Sequence, residues 1–142
     1  MEHFEVIKDD QETLAIIIRS DFFTEGIKFF TPGEFSQQLA YMHHRKGKEI
    51  KPHVHNAVKR EVHFTQEVLF LKRGRLRVDI YHNNQTYHSS HILNAGDLIL
   101  LAGGGHGFEV LEDIEMIEVK QGPYAGENDK THFDPSQPCP QP

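Results

Sequence analysis

The chain alternates short apolar runs with turn-forming residues, and the breaks recur about every eight to twelve positions. That spacing predicts strands over 14–19, 26–30, 37–44, 53–55, 67–72, 76–81, 90–93, 98–101, 107–111 and 114–119. The breaks have chemical reasons. Thr31-Pro32-Gly33, Arg73-Gly74, His82-Asn83-Asn84, Asn94-Ala95-Gly96-Asp97 and Glu112-Asp113 all favour turns, through a preset or a positive φ. No stretch keeps a 3.6-residue apolar period with caps at both ends. The best helical candidate, around 32–38, reads equally well as a loop entering a strand. The pattern therefore predicts one all-β domain with little helix, of the sandwich or barrel kind. After Gly122 the alternation fades, and the chain ends in a Pro-rich stretch expected to be an arm and a flexible tail over 122–142.

Composition narrows the partners. The chain has 142 residues, enough for one core, with 37% hydrophobic and 10% aromatic residues. Its net charge of -6 speaks against nucleic acid, which is held by clustered positive charge. The longest apolar runs, 14–18 and 98–102, have strand length, so no membrane span is expected. The N-terminus lacks a signal-peptide pattern, and the single cysteine, Cys139, excludes a disulfide framework or a multi-Cys zinc site, so a cytoplasmic protein is expected.

Eleven histidines are the chemical feature to explain. The sharpest local motif is Pro52-His53-Val54-His55. On a strand, His53 and His55 share a face about 6.6–7 Å apart, close enough to converge on one metal ion. Gly47 stands five intervening residues before His53. Glu67 is followed by six residues and then Gly74. Gly96-Asp97 opens an apolar strand that runs into Ala102-Gly103-Gly104-Gly105-His106. At these residues the sequence resembles the cupin superfamily, whose first motif is Gly, five residues, His-x-His, three or four residues, Glu, six residues, Gly. The second motif is Gly, five residues, Pro-x-Gly, two residues, His, three residues, Asn.

The resemblance spans about 37–119 and implies a cupin-type double-stranded β-helix, a jelly-roll barrel forming a single domain over 1–121. It also implies a site of three histidines and one glutamate holding one divalent transition metal (Fe, Mn, Ni, Zn or Cu) through His53, His55, Glu67 and His106. Three departures stand out. Eleven residues, Asn56 to Gln66, separate His55 from Glu67, which leaves Glu61 as a rival carboxylate. Ala102 replaces the second motif's proline, with one residue missing before His106. Val110 stands where its asparagine would be. The insertion is expected to form a flap beside the site mouth.

Proton-transfer candidates are Tyr41 and His43 on the strand leading into the first motif, with His44 beside them, and His63 in the insertion. Each reads equally as a packed or solvated side chain. His82, His88 and His91 flank a turn and read as solvated, and His3 and His132 belong to the ends. The leading expectation is a metal-dependent enzyme acting on a polar small molecule. The resemblance extends to stand-alone cupins associated with bacterial surface-polysaccharide genes, which favours isomerisation or epimerisation of a carbohydrate or nucleotide sugar. The alternatives are an Fe(II)-dependent dioxygenase-type cupin and a non-catalytic small-molecule or metal-binding module. The resemblance also implies a homodimer.

Overall fold

A computed structural model describes residues 3–135. The Pro-rich end and Cys139 lie outside the described residues. Eight strands and one 3-10 turn follow one another: β1 (Phe4–Lys8), β2 (Thr13–Ile18), β3 (Gly26–Phe29), β4 (Ala40–His43), β5 (Glu67–Tyr81), β6 (Tyr87–Asn94), β7 (Leu98–Leu101), β8 (Gly105–Lys120) and the turn Gly126–Asp129. Among the described residues there is no α-helix, and no helix long and apolar enough to cross a membrane.

All strand pairings are antiparallel. One sheet runs β1-β2-β7-β5-β6, and β8 pairs with the other edge of β5; β3 and β4 form a separate hairpin. The long strand β5 is shared between two layers. Its first residues pair with β7 and its second half with β6, while β8 follows it from end to end. The result is a curled, open half-barrel resembling an open jelly roll.

The source of the curl is visible in the β5–β8 register. Glu67 lies opposite Lys120 at one end of the ribbon, and Ile80 lies opposite His106 near the other. In a straight ribbon these ends would be about 40 Å apart at the ordinary rise of a strand. Instead, His106 Nε2 lies 4.0 Å from Glu67 Oε2. The ribbon has folded back on itself. The register slips three times in its middle, between Leu71 and Leu76 of β5, and such bulges bend and twist a strand pair. At the apex Gly74 takes φ +88°, and a Cβ there would sit 2.1 Å from the backbone oxygen of Asp113. The two expected turns, Arg73-Gly74 and Glu112-Asp113, are therefore facing bends within two continuous strands. Glycine supplies the positive φ as expected, but the chain continues in the same ladder.

The bulges also switch which residues of β5 face inward. Leu69 and Leu71 before them, and Leu76, Val78 and Ile80 after them, all join one buried cluster with Leu14, Ile17, Leu93 and Ile99. On the opposite face, two lateral rows cross five strands and are entirely apolar. One runs Val6, Ile16, Leu100, Val68, Val119; the other runs Phe4, Ile18, Leu98, Phe70, Ile117. Near β1 an aromatic cluster adjoins them, with Phe22 and Phe30 edge-on to Phe4 at 5.8 and 5.1 Å, and Tyr41 against Phe22 at 4.9 Å. Toward β8 the rows emerge into solvent, where Ile117 is 51% and Val119 57% exposed.

Two further expectations change. Residues 53–55 form no strand but lie in a long exposed segment, 44–64, without regular structure. The first strand, Phe4–Lys8, pairs with β2 although its charged positions hide its alternation. Beyond β8 the described part of the arm packs back on the domain, with Phe133 edge-on to Tyr81 at 5.1 Å.

Candidate functional site

The site grows out of the inner face of the curled sheet. One lateral row reads Ile7, Ala15, Leu101, Glu67, Lys120, and the next reads Glu5, Ile17, Ile99, Leu69, Glu118. The apolar rows thus end in ionisable groups at the β5–β8 side. The ribbon's fold-back then lays His106 over them. Gly104, at φ +64°, turns the chain into β8 where a Cβ would meet the Tyr81 carbonyl oxygen at 2.2 Å, and this sets where His106 begins its strand.

The charges within the cluster are constrained. Burial, with the Glu118 carboxyl hydrogen-bonded beside it, pushes the Glu67 carboxyl above the ordinary carboxylate value. Lys120, 3.8 Å from Glu67 and 3.8 Å from Asp129, pulls it the other way without prevailing. The neighbouring Glu118 carboxyl thus adds to burial in favouring the protonated form of Glu67. Burial draws the His106 imidazole below its ordinary value, and Lys130 and Lys120 add to the effect. His106 is therefore neutral near pH 7, with a ring nitrogen free to accept a proton or bind a cation.

The flanking cavity measures about 530 Å³ and is lined by Arg60, His63, Lys120, Tyr124 and Lys130 among others. Asp129 anchors its wall through a hydrogen bond from the Thr65 hydroxyl. A second cavity of about 270 Å³ is lined by Glu12, Glu34 and Glu61, with His63 again at its rim.

The expected site residues therefore separate into two groups. Glu67 and His106, thirty-nine positions apart in the chain, come together. His53 and His55 lie with their rings 5.2 Å apart, edge to face, on the exposed segment. Among the described residues no three His, Cys, Asp or Glu side chains form a group able to hold a metal. Glu61 stays on the segment, 3.7 Å from His63. Of the proton-transfer candidates, only His63 lines the cavity beside Lys120. Tyr41 packs on Phe22, and His43 sits 3.3 Å from Glu25 with its ring edge-on to Phe23 at 5.0 Å.

No protein-family model, curated protein or solved structure matches the chain.

Glu118 and Lys120 were not singled out from the sequence. Their alternation on the last strand was the available signal, but an edge strand carries such charges for solubility as well. Sequence reasoning also missed a polar chain at the β5–β6 end of the sheet. There Asp9 binds His82 at 2.9 Å, and Ser89 bridges His88 and His91 at 2.8 Å each.

Proposed function

We propose that this chain is a cupin-type, metal-dependent protein acting on a polar small molecule, with carbohydrate or nucleotide-sugar isomerisation or epimerisation as its reaction type. The observation that carries the reading is the 4.0 Å approach of His106 to Glu67, two members of the ligand set implied by the cupin resemblance that stand thirty-nine positions apart in the chain.

The donor chemistry fits a divalent cation in two halves. Glu67 and His106 are a carboxylate and a neutral imidazole already converging, and the Glu67–Glu118 pair is the kind of carboxyl pair that a cation relieves. His53 and His55 form the other half, a close imidazole pair on the exposed segment. A bound metal would supply Lewis acidity toward a substrate carbonyl or hydroxyl.

The chain's own groups account for the rest. The Glu67 carboxyl, favoured in its protonated form by burial and by Glu118, can give a proton to, or take one from, a substrate oxygen or carbon within reach. Lys120 and Lys130 favour an anionic substrate in the cavity beside the pair, and His63 at its rim is a second proton carrier. A binding module that does not turn its ligand over is the second reading. It is favoured by the Lys120–Glu67 ion pair, which already satisfies part of the carboxylate.

Elemental analysis of purified protein tests the first reading. Roughly stoichiometric transition metal is expected in the native chain, and its loss in His53→Ala and His106→Ala. Native protein that carries no transition metal in any preparation, and takes none up on dialysis, sinks it. With metal present, solvent deuterium should appear at a carbon of a sugar phosphate or nucleotide sugar incubated with the protein. Binding without such exchange selects the second reading.

A further inference from the structure

Segment 44–63 is unusual for a chain of net charge -6. It carries six basic residues (Arg45, Lys46, Lys48, Lys51, Lys59 and Arg60) against two acidic ones, Glu49 and Glu61. It also exposes Ile50, Val54, Val58 and Val62, with Val54 at 85%. From His44 to Lys59 its only side-chain ion pair to the rest of the described chain is Arg45 with Glu25 at 3.0 Å. An apolar, basic stretch left in water this way marks an interaction surface rather than a finished loop.

The complementary surface is on the same molecule. β8 carries five acidic residues (Glu109, Glu112, Asp113, Glu115 and Glu118) and one basic residue, Lys120. Arg77 and Arg73 engage Glu109 and Glu115, while Glu112 and Asp113 have no cationic partner among the described residues. One edge of β8 pairs with β5, and among the described residues no strand pairs with the other. Its exposed apolar side chains, Phe108, Val110, Ile117 and Val119, alternate with these acids. An unpaired edge with alternating side chains is suited to receive an extended peptide by strand addition.

We propose that segment 44–63 of one copy docks on strand β8 of a second copy, reciprocally about a two-fold axis. The opposite charges select this pairing over β8 against β8 or segment 44–63 against itself, both of which place like charges together. Because segment 44–63 of each copy meets β8 of the other about the two-fold axis, the contact is isologous and closes as a dimer. Docking brings His53 and His55 of the partner subunit to the ribbon whose ends hold Glu67 and His106, so the site is completed in trans. This last step rests on the metal reading above.

Charge reversal tests the docking. Lys48→Glu, Lys51→Glu and Lys59→Glu together reverse the net charge of segment 44–63, and Glu112→Lys, Asp113→Lys and Glu115→Lys together reverse that of β8; circular dichroism checks that both variants fold. By sedimentation the native chain should be a dimer, and each variant alone should dimerise at least about 10-fold more weakly. Mixing the two variants should restore dimers, because both contacts are again complementary. A native monomer overturns the proposal, as do reversals that leave the dimer intact or a mixture that stays dissociated.

A second mixture separates the two claims. Chains carrying His53→Ala and His55→Ala are combined with chains carrying Glu67→Gln and His106→Ala, and Co(II) uptake is read by its absorption. Uptake by the mixture alone, at about a quarter of the native amount, supports completion in trans. A native monomer that binds Co(II) rejects the docking and leaves the metal reading standing. Dimers that respond to charge reversal, without Co(II) uptake by the native chain, reject the metal reading and leave the docking standing.

Discussion

Replacing Gly74 by alanine strikes the bend that brings the two ends of the β5–β8 ribbon together. At φ +88° an L-residue costs about 1–2 kcal/mol more than glycine. The new Cβ would stand 2.1 Å from the Asp113 backbone oxygen, 2.8 Å from its carbonyl carbon and 2.9 Å from Ile114 Cγ2. Two of those three atoms are backbone, so relief requires the strands to part, at about 1–3 kcal/mol as in other overpacked positions. Together the loss is about 2–5 kcal/mol, a large share of a domain's usual stability. At about 4 °C per kcal/mol the melting temperature should fall by about 8–20 °C. Thermal unfolding followed by circular dichroism reads this directly. Gly33→Ala is the control, since a Cβ there meets nothing within 4 Å, and it should change stability by less than about 0.5 kcal/mol. If Gly74→Ala melts with the control, the bend does not depend on glycine and the account of the curl is wrong.

Other substitutions test other parts of the structure. Arg19 donates to Asp97 at 3.0 Å, to the Ile92 carbonyl at 2.6 Å and to Glu5 at 2.9 Å. Asp97 is only 3% exposed, so Arg19→Ala should cost about 3 kcal/mol in urea unfolding, and Arg19→Lys should recover only part of it because the fork is lost; a cost under about 1 kcal/mol would contradict this. Burial holds the His91 imidazole below its ordinary value of 6.5, so below pH 6.5 the unfolded chain takes up a proton that the folded chain resists. The His91 contribution is thus fully present above pH 6.5 and falls away as the pH drops through the lowered folded value. His91→Gln should flatten the decline, and an unchanged slope would show that His91 is not its source. In an NMR titration, Glu118→Gln should bring the Glu67 carboxyl down toward the ordinary value and Lys120→Met should raise it further. The opposite shifts would refute the arrangement described.

Much of the local structure was legible because strands announce themselves by alternation. The expected 98–101 strand coincides with β7, and the expected 14–19 strand differs from β2 by one residue at each end. The β1 strand escaped because its Glu5 and Lys8 fall among apolar residues in a stretch only five residues long. Arg73-Gly74 and Glu112-Asp113 were legible as backbone irregularities, but a turn and a bulge use the same glycine chemistry. Which one forms depends on whether the flanking segments pair with each other or with a common neighbour.

The site divides along the same line. The sequence by itself determined an all-β domain, most of its strands, and Glu67 and His106 as residues to watch, because these follow from local periodicity and motif spacing. The tertiary structure alone decided that Glu67 and His106 meet at 4.0 Å, that Glu118 and Lys120 join them, and that His53 and His55 lie apart on an exposed segment. The reason is geometric. Alternation reports which face a residue takes within one strand, whereas residues on distant strands are brought together by the accumulated bend of the sheet. That bend arises at the bulges around Gly74, where the two halves of the ribbon pack against one core.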